Sequence, residues 1–382
     1  MAYFRNNTVN LLNLHYGLHS FALSGSSAFF GVFLLKSGVP APMVLLSIAA
    51  ILLGRFLIRP SVLIFAKRFG VKPLLIAGTV ATSLQYPLLA EVDGIGVSLF
   101  VLCMVSSIGD TLYWTTYHAY FAALGDAEHR GHQVGAREAA AAVVGVIGPL
   151  ATGWALTELG PRIAFGSAAA VMLLAALPIV WTPNIAVPQE TSGALKAAMP
   201  GVLLFASDAF IAGGHVFVWQ IALFLSLGES FSAFGGAMAL AAAAGAVGGL
   251  LLGRLIDAGH GSHAAIVALV VLAATTTLRA VSVGNAPLAV LANASGALVA
   301  CLYVPVLGTA IYNQAKRSPC TLRFHIASEA GWDLGGASAL LVAAGLLQAG
   351  VPIGTCILLS LLGALASFYL LRTYFSALEP AA

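Results

Sequence analysis

Residues 201–227 read GVLLFASDAFIAGGHVFVWQIALFLSL. The stretch holds no lysine or arginine, one carboxylate at Asp208 and one imidazole at His215. At a rise of about 1.5 Å per residue, about twenty apolar residues in a helix cross the roughly 30 Å hydrocarbon core of a bilayer. A barrel strand would alternate apolar and polar residues over about ten positions. No such alternation is present, so the stretch predicts a membrane-spanning helix with two ionisable groups inside it.

Working outward, eleven more apolar runs fall roughly at 10–36, 41–66, 73–92, 95–123, 136–158, 161–182, 231–256, 263–284, 286–312, 325–349 and 351–375. The breaks carry turn chemistry, as in Ser37-Gly38-Val39-Pro40, Asp93-Gly94, Leu159-Gly160-Pro161 and Gly350-Val351-Pro352. The chain is 60% hydrophobic and only 8% charged. A soluble surface usually needs about 25% charged residues, so lipid must cover much of this chain. Residues 1–10 are polar and the run after them lacks a small-residue cleavage site, so it reads as a first membrane helix rather than a cleaved signal.

Lysines and arginines orient the spans. With the N-terminus in the cytoplasm, fourteen fall on the inner side and three, Lys36, Arg162 and Arg279, on the outer side. That asymmetry predicts an even number of spans in the plasma (inner) membrane with both termini cytoplasmic. In the second run, Arg55, Arg59 and Pro60 direct its later part toward protein or the interface rather than lipid. Arg279 reads as the partner of an acid or as a side chain reaching for the interface.

The two halves correspond at a shift of 190 residues. Phe33 to Gly38 falls on Leu223 to Gly228, and Leu63 to Lys67 on Gly253 to Asp257. Repeats of this kind build transporter folds. The expected organisation is a bundle over 1–182, a cytoplasmic linker over 183–199 and a second bundle over 200–382.

With these features the chain resembles the major facilitator superfamily. That family carries the signature Gly-x-Leu-x-Asp-Arg-x-Gly-Arg-Arg after its second helix, often repeated after the eighth. Here the second copy is Gly253-Arg254-Leu255-Ile256-Asp257-Ala258-Gly259, with alanine in the arginine position. The first copy runs from Leu63 to Lys72 and keeps Arg68 and Gly70, but has Lys67 where the acid belongs. The salt bridge of the signature would therefore fall to Asp257 rather than to the first half. Gly145-x-x-Gly148-Pro149-x-x-x-Gly153 is similar to the glycine–proline motif of the family's antiporters, although small residues also serve close helix packing. The resemblance implies twelve transmembrane helices in two six-helix bundles related by a pseudo-two-fold axis. It also implies alternating access around a cavity lined by helices one, four, seven and ten.

Ionisable groups at bilayer depth are expensive and face protein or water, which makes them functional candidates. Asp110, Trp114, Tyr117 and His118 recur at helical spacing and so share a face. They read as a cradle for a cationic or aromatic solute, or as a packed seam between helices. Asp208, His215 and Trp219, with Gln220 beside them, predict a proton- and substrate-binding face or a hydrogen-bonded structural pair. His19, one turn from His15, lines the cavity or packs; the pair alone is a poor metal site without a carboxylate beside it.

Glu329 and Asp333 lie four residues apart, where two carboxylates repel and one tends to hold a proton. With Arg137 and Glu138 they form a candidate inner gate or coupling element, together with Asp257 and Arg68.

No phosphate-cradling Gly-x-x-x-x-Gly-Lys-Ser/Thr loop, HExxH or Gly-x-Ser-x-Gly is present, so neither ATP-driven pumping nor enzymatic catalysis is expected. No cofactor or metal is expected, nor any nucleic-acid partner. The expected partners are a small solute, protons and membrane lipid, and the expected state is a monomer. The four cysteines read as small buried hydrophobes. The sequence therefore predicts a proton-coupled exporter of a small organic solute. The alternatives are an importer of a metabolite or metal chelate, and a lipid scramblase without gradient coupling.

Overall fold

A computed structural model describes residues 6–124, 130–187, 191–256 and 261–376. Side chains are described throughout these ranges except at residues 122, 123, 130–141, 250–256 and 261–264. The described residues form twelve long helices and no strand. They are α1 (Asn7–Lys36, with a tight 3-10 turn at Ser27–Phe29), α2 (Ala41–Phe69), α3 (Val71–Ala90), α4 (Val97–Leu124), α5 (Arg130–Glu158) and α6 (Pro161–Val180). The second half supplies α7 (Ala194–Ser226), α8 (Phe231–Ile256), α9 (Gly261–Ser282), α10 (Ala286–Arg317), α11 (Thr321–Gln348) and α12 (Ile353–Ser376). Eleven of them are long and apolar enough to cross a membrane, and the described apolar part of α5 is the shorter Ala142–Glu158. The all-α, many-span architecture is the one predicted.

Local chemistry starts and stops these helices. Asn6 caps α1 by accepting from the Val9 amide at 3.1 Å, and Asn285 caps α10 through Leu288 in the same way. Gly160, at φ +82°, makes the turn between α5 and α6, a left-handed conformation that glycine adopts without penalty. The polar segment after α6 is held in place. The Asn184 amide nitrogen donates to Phe69 O at 2.8 Å, and the Lys72 amide donates back to Asn184 Oδ1 at 3.1 Å. Gly70 leaves the room that Asn184 fills, because a Cβ there would overlap its side chain.

Two compact units emerge. One draws on the described residues of Met1–Val39, Gly54–Thr191 and Phe231–Ala239; the other on Pro40–Leu53, Ser192–Ser230 and the described residues of Leu240–Ala382. Each unit thus takes a helical segment from the other half of the sequence. In the first, Gly153 and Gly235 let α5 and the start of α8 touch backbone to backbone. In the second, Gly331 and Gly335 of α11 lie on the backbone of α7, where a Cβ would overlap Val202 O and Ala206 O. Small residues permit this close approach where packing, rather than water exclusion, drives helix association. Leu204, Ile211, Leu272, Tyr303 and Phe324 fill the apolar core of the second unit.

Candidate functional site

In the first unit, α1 and α4 bring together imidazole and aromatic rings. His15 is fully buried. Its Nδ1 lies 2.7 Å from Ala175 O, and its Nε2 lies 3.1 Å from the Tyr113 hydroxyl. A carbonyl only accepts, so Nδ1 carries the proton; in neutral His15, Nε2 then accepts from Tyr113. His19 stacks flat on the Tyr113 ring at 3.8 Å and meets Trp114 edge-on at 5.6 Å. Trp114 and Tyr117 in turn contact His118, both at 5.8 Å. The predicted aromatic face of α4 is therefore continuous with α1.

Asp110 has a different neighbour. Its Oδ2 lies 3.8 Å from Arg55 Nη1 on α2, with Arg55 almost wholly buried. One turn on, Arg59 is 1% exposed and donates to Thr115 Oγ1 at 2.7 Å. The arginines that the sequence directed away from lipid thus dock on α4. Asp110 faces a positive charge of the protein itself, which answers the charge that a cationic solute would otherwise supply.

In the second unit, α7 is not a continuous α-helix. Gly213–Val218 forms a π-helical turn, and His215 lies inside it. Such turns are rare and shift the backbone ladder from i→i+4 to i→i+5. Donors from other helices reach backbone carbonyls in and just before this turn: Ser360 Oγ donates to Ile211 O at 2.8 Å, and Arg279 Nη1 donates to His215 O. His215 Nδ1 bonds Thr276 Oγ1 at 2.9 Å. Trp219 Nε1 donates to Asn293 Oδ1 at 3.0 Å, and the Arg279 guanidinium lies over the Trp219 ring at 5.2 Å.

Asp208 engages other helices. Trp332 Nε1 of α11 donates to its Oδ2 at 3.2 Å, and Tyr303 and Glu329 are close enough to act on its charge. Tyr303 itself bonds Ser367 at 2.9 Å. Glu329 is 5% exposed and Asp333 wholly buried. Asp208 and His215 therefore have separate partners, the acid toward α10 and α11 and the imidazole toward α9. Gln220 lies half-buried beside Trp219.

Arg68 is exposed and lies over the Phe69 ring at 5.3 Å. Asp257 lies outside the described residues, and the side chains of Arg137 and Glu138 are likewise outside them. No group of three or more metal-ligating side chains occurs among the described residues. Sequence reasoning grouped Trp332 with Glu329 and Asp333 but missed Tyr303, Asn293 and the π turn as parts of these sites; Gly213-Gly214 in mid-helix was the available signal for the turn.

The fold is similar to that of the human organic anion transporter MFSD10 (TETRAN), at TM-score 0.67 and 15% identity, covering 96% of this chain and 99% of that one. It is similar also to the POT family transporter PepTSo, at TM-score 0.67 and 11% identity, covering 97% and 99%. No curated protein matches the sequence significantly. The description of the Major Facilitator Superfamily matches residues 12–319, four-fifths of the chain. The chain belongs to the Major Facilitator Superfamily and is a multi-pass membrane transporter.

Proposed function

We propose that the chain is a secondary transporter that exports a small organic solute by alternating access in exchange for protons. The observation that carries the proton part is Asp208 of α7, held by Trp332 of α11 and close enough to Glu329 of that helix for the two charges to act on each other. Asp333 follows Glu329 one turn later on α11. Like charges that act on each other in a low-dielectric interior are relieved when one takes up a proton. A site that changes charge as it changes exposure converts a pH gradient into a directional bias.

The aromatic face of Trp114, Tyr117 and His118 with His19 supplies the solute-binding surface in this reading. Flat rings and imidazoles favour an aromatic or otherwise delocalised cargo. The chain works as a monomer in the plasma (inner) membrane with both termini cytoplasmic, in keeping with its lysine and arginine distribution. It carries out no catalysis and needs no cofactor. The test is proton movement in sealed vesicles containing the purified protein and a pH-sensitive dye. Addition of a transported solute should collapse an imposed gradient; a gradient indifferent to every solute class tried would remove the coupling.

A further inference from the structure

Arg279 is the oddest charge among the described residues. Its side chain is only 6% exposed, one turn before the end of α9 at Ser282. A buried guanidinium is normally matched by a carboxylate, as Arg55 is by Asp110. Arg279 has no ion-pair partner among the described residues. Its Nη1 donates to His215 O, and its Cζ lies over the Trp219 ring, 5.2 Å from the centroid. Its Nε is buried with no hydrogen-bond partner among the described residues.

The surroundings are built for this group. Gly296 of α10 leaves the space that the guanidinium occupies, since a Cβ there would overlap it. Trp219 is fixed by Asn293, so the platform under the charge is rigid. The interaction with the Trp219 ring and one carbonyl dipole lowers the cost of the charge but does not neutralise it. A guanidinium edge with a free Nε–H is the donor geometry that takes carboxylates side-on.

We propose that Arg279 is an anion-binding residue: its Nε edge accepts a carboxylate or a halide. The His215 carbonyl holds the guanidinium while the site is empty, and the anion supplies a negative charge that no described residue provides. The proposal goes beyond the proton-exchange reading and does not depend on it, since binding is measured without transport.

The experiment is thermal unfolding of the detergent-purified chain in low-salt buffer, titrated with sodium benzoate, sodium chloride or neutral benzamide. Benzoate or chloride should raise the melting temperature by several degrees, saturably, while benzamide does not. Benzoate alone would mark an organic carboxylate as the ligand; both salts would mark a general anion site. Arg279→Gln should abolish the shift while leaving the effect of ionic strength on folding in place. If Arg279→Gln does not fold, Gly296→Ala, which pushes the guanidinium aside, should weaken the shift at least tenfold in anion concentration. No anion-dependent shift in the unsubstituted chain, or an undiminished shift in a folded Arg279→Gln or Gly296→Ala chain, overturns the proposal.

Discussion

Trp332 Nε1 donates to Asp208 Oδ2 across 3.2 Å, tying α11 to the carboxylate of α7. A hydrogen bond to a charged acceptor is worth about 1.5–3 kcal/mol, and an indole offers no second donor. Trp332→Phe keeps an aromatic ring and removes the donor. The expected result is a fall of about tenfold or more in transport, with a changed pH profile, in protein that still purifies as a monodisperse species. Flux measured against external pH in reconstituted vesicles checks it.

The Tyr113 hydroxyl is the donor to His15 Nε2, because Ala175 O occupies the other ring nitrogen. Tyr113→Phe leaves a buried acceptor unsatisfied, at a cost of about 1–3 kcal/mol. The melting temperature of the purified protein should drop by several degrees. The stack with His19 should survive, since the ring is unchanged.

Gly335 lies against Ala206 O, with no room for a methyl group. Gly335→Ala must push α11 off α7 or bend one of them, an overpacking cost of about 1–3 kcal/mol. Gly345, whose Cβ would meet nothing within 4 Å, is the matched control. Gly335→Ala should lower thermal stability and separate Asp208 from Trp332, whereas Gly345→Ala should be neutral or slightly stabilising by helix propensity. Equal melting temperatures for the two variants would argue against the close α7–α11 seam.

At the α3 end, Arg162 Nε and Nη2 bond the two Glu91 oxygens at 2.8 and 3.0 Å. These hydrogen bonds, and then the positive charge of Arg162, hold the Glu91 carboxyl below its ordinary value of 4.5. A lowered carboxylate pKa stabilises the fold above the unfolded value, and the contribution is lost as pH falls through the folded one. The pair should therefore contribute fully at neutral pH and fade only below about 4.5. Because both side chains are solvent-exposed, the effect is small. Comparing Glu91→Gln with the unsubstituted chain in unfolding experiments from pH 7 to 3.5 checks this: the gap should narrow toward acid.

Hydrophobic runs made the spans legible, because lipid demands uninterrupted apolar helices and turn residues mark their ends. The runs at 41–66, 161–182 and 231–256 match α2, α6 and α8 within a few residues. The first helical residues of α5, Arg130 to Gly135, were illegible, since Arg130, His132 and Gln133 interrupt any apolar run. α7 likewise begins at Ala194, in a segment whose polarity hides its helix.

The sites were partly legible. Trp114, Tyr117 and His118 cluster as their helical spacing required. Asp208 and His215 do not share neighbours, because a seven-residue spacing assumes an unbroken α-helix, and the π turn at Gly213–Val218 changes the phase between them and Trp219. The partners of Asp110 and Asp208 come from other helices, α2 and α11, and no periodicity within α4 or α7 encodes them.

The central claim is that Asp208 carries the coupling proton. The most direct measurement is solute flux in vesicles across an imposed pH gradient, comparing the unsubstituted chain with Asp208→Asn. Asparagine keeps the size and the acceptor for Trp332 but cannot take up a proton. The account predicts that gradient-driven accumulation disappears in Asp208→Asn while solute exchange without a gradient continues. Accumulation that still follows the pH gradient in Asp208→Asn would contradict it.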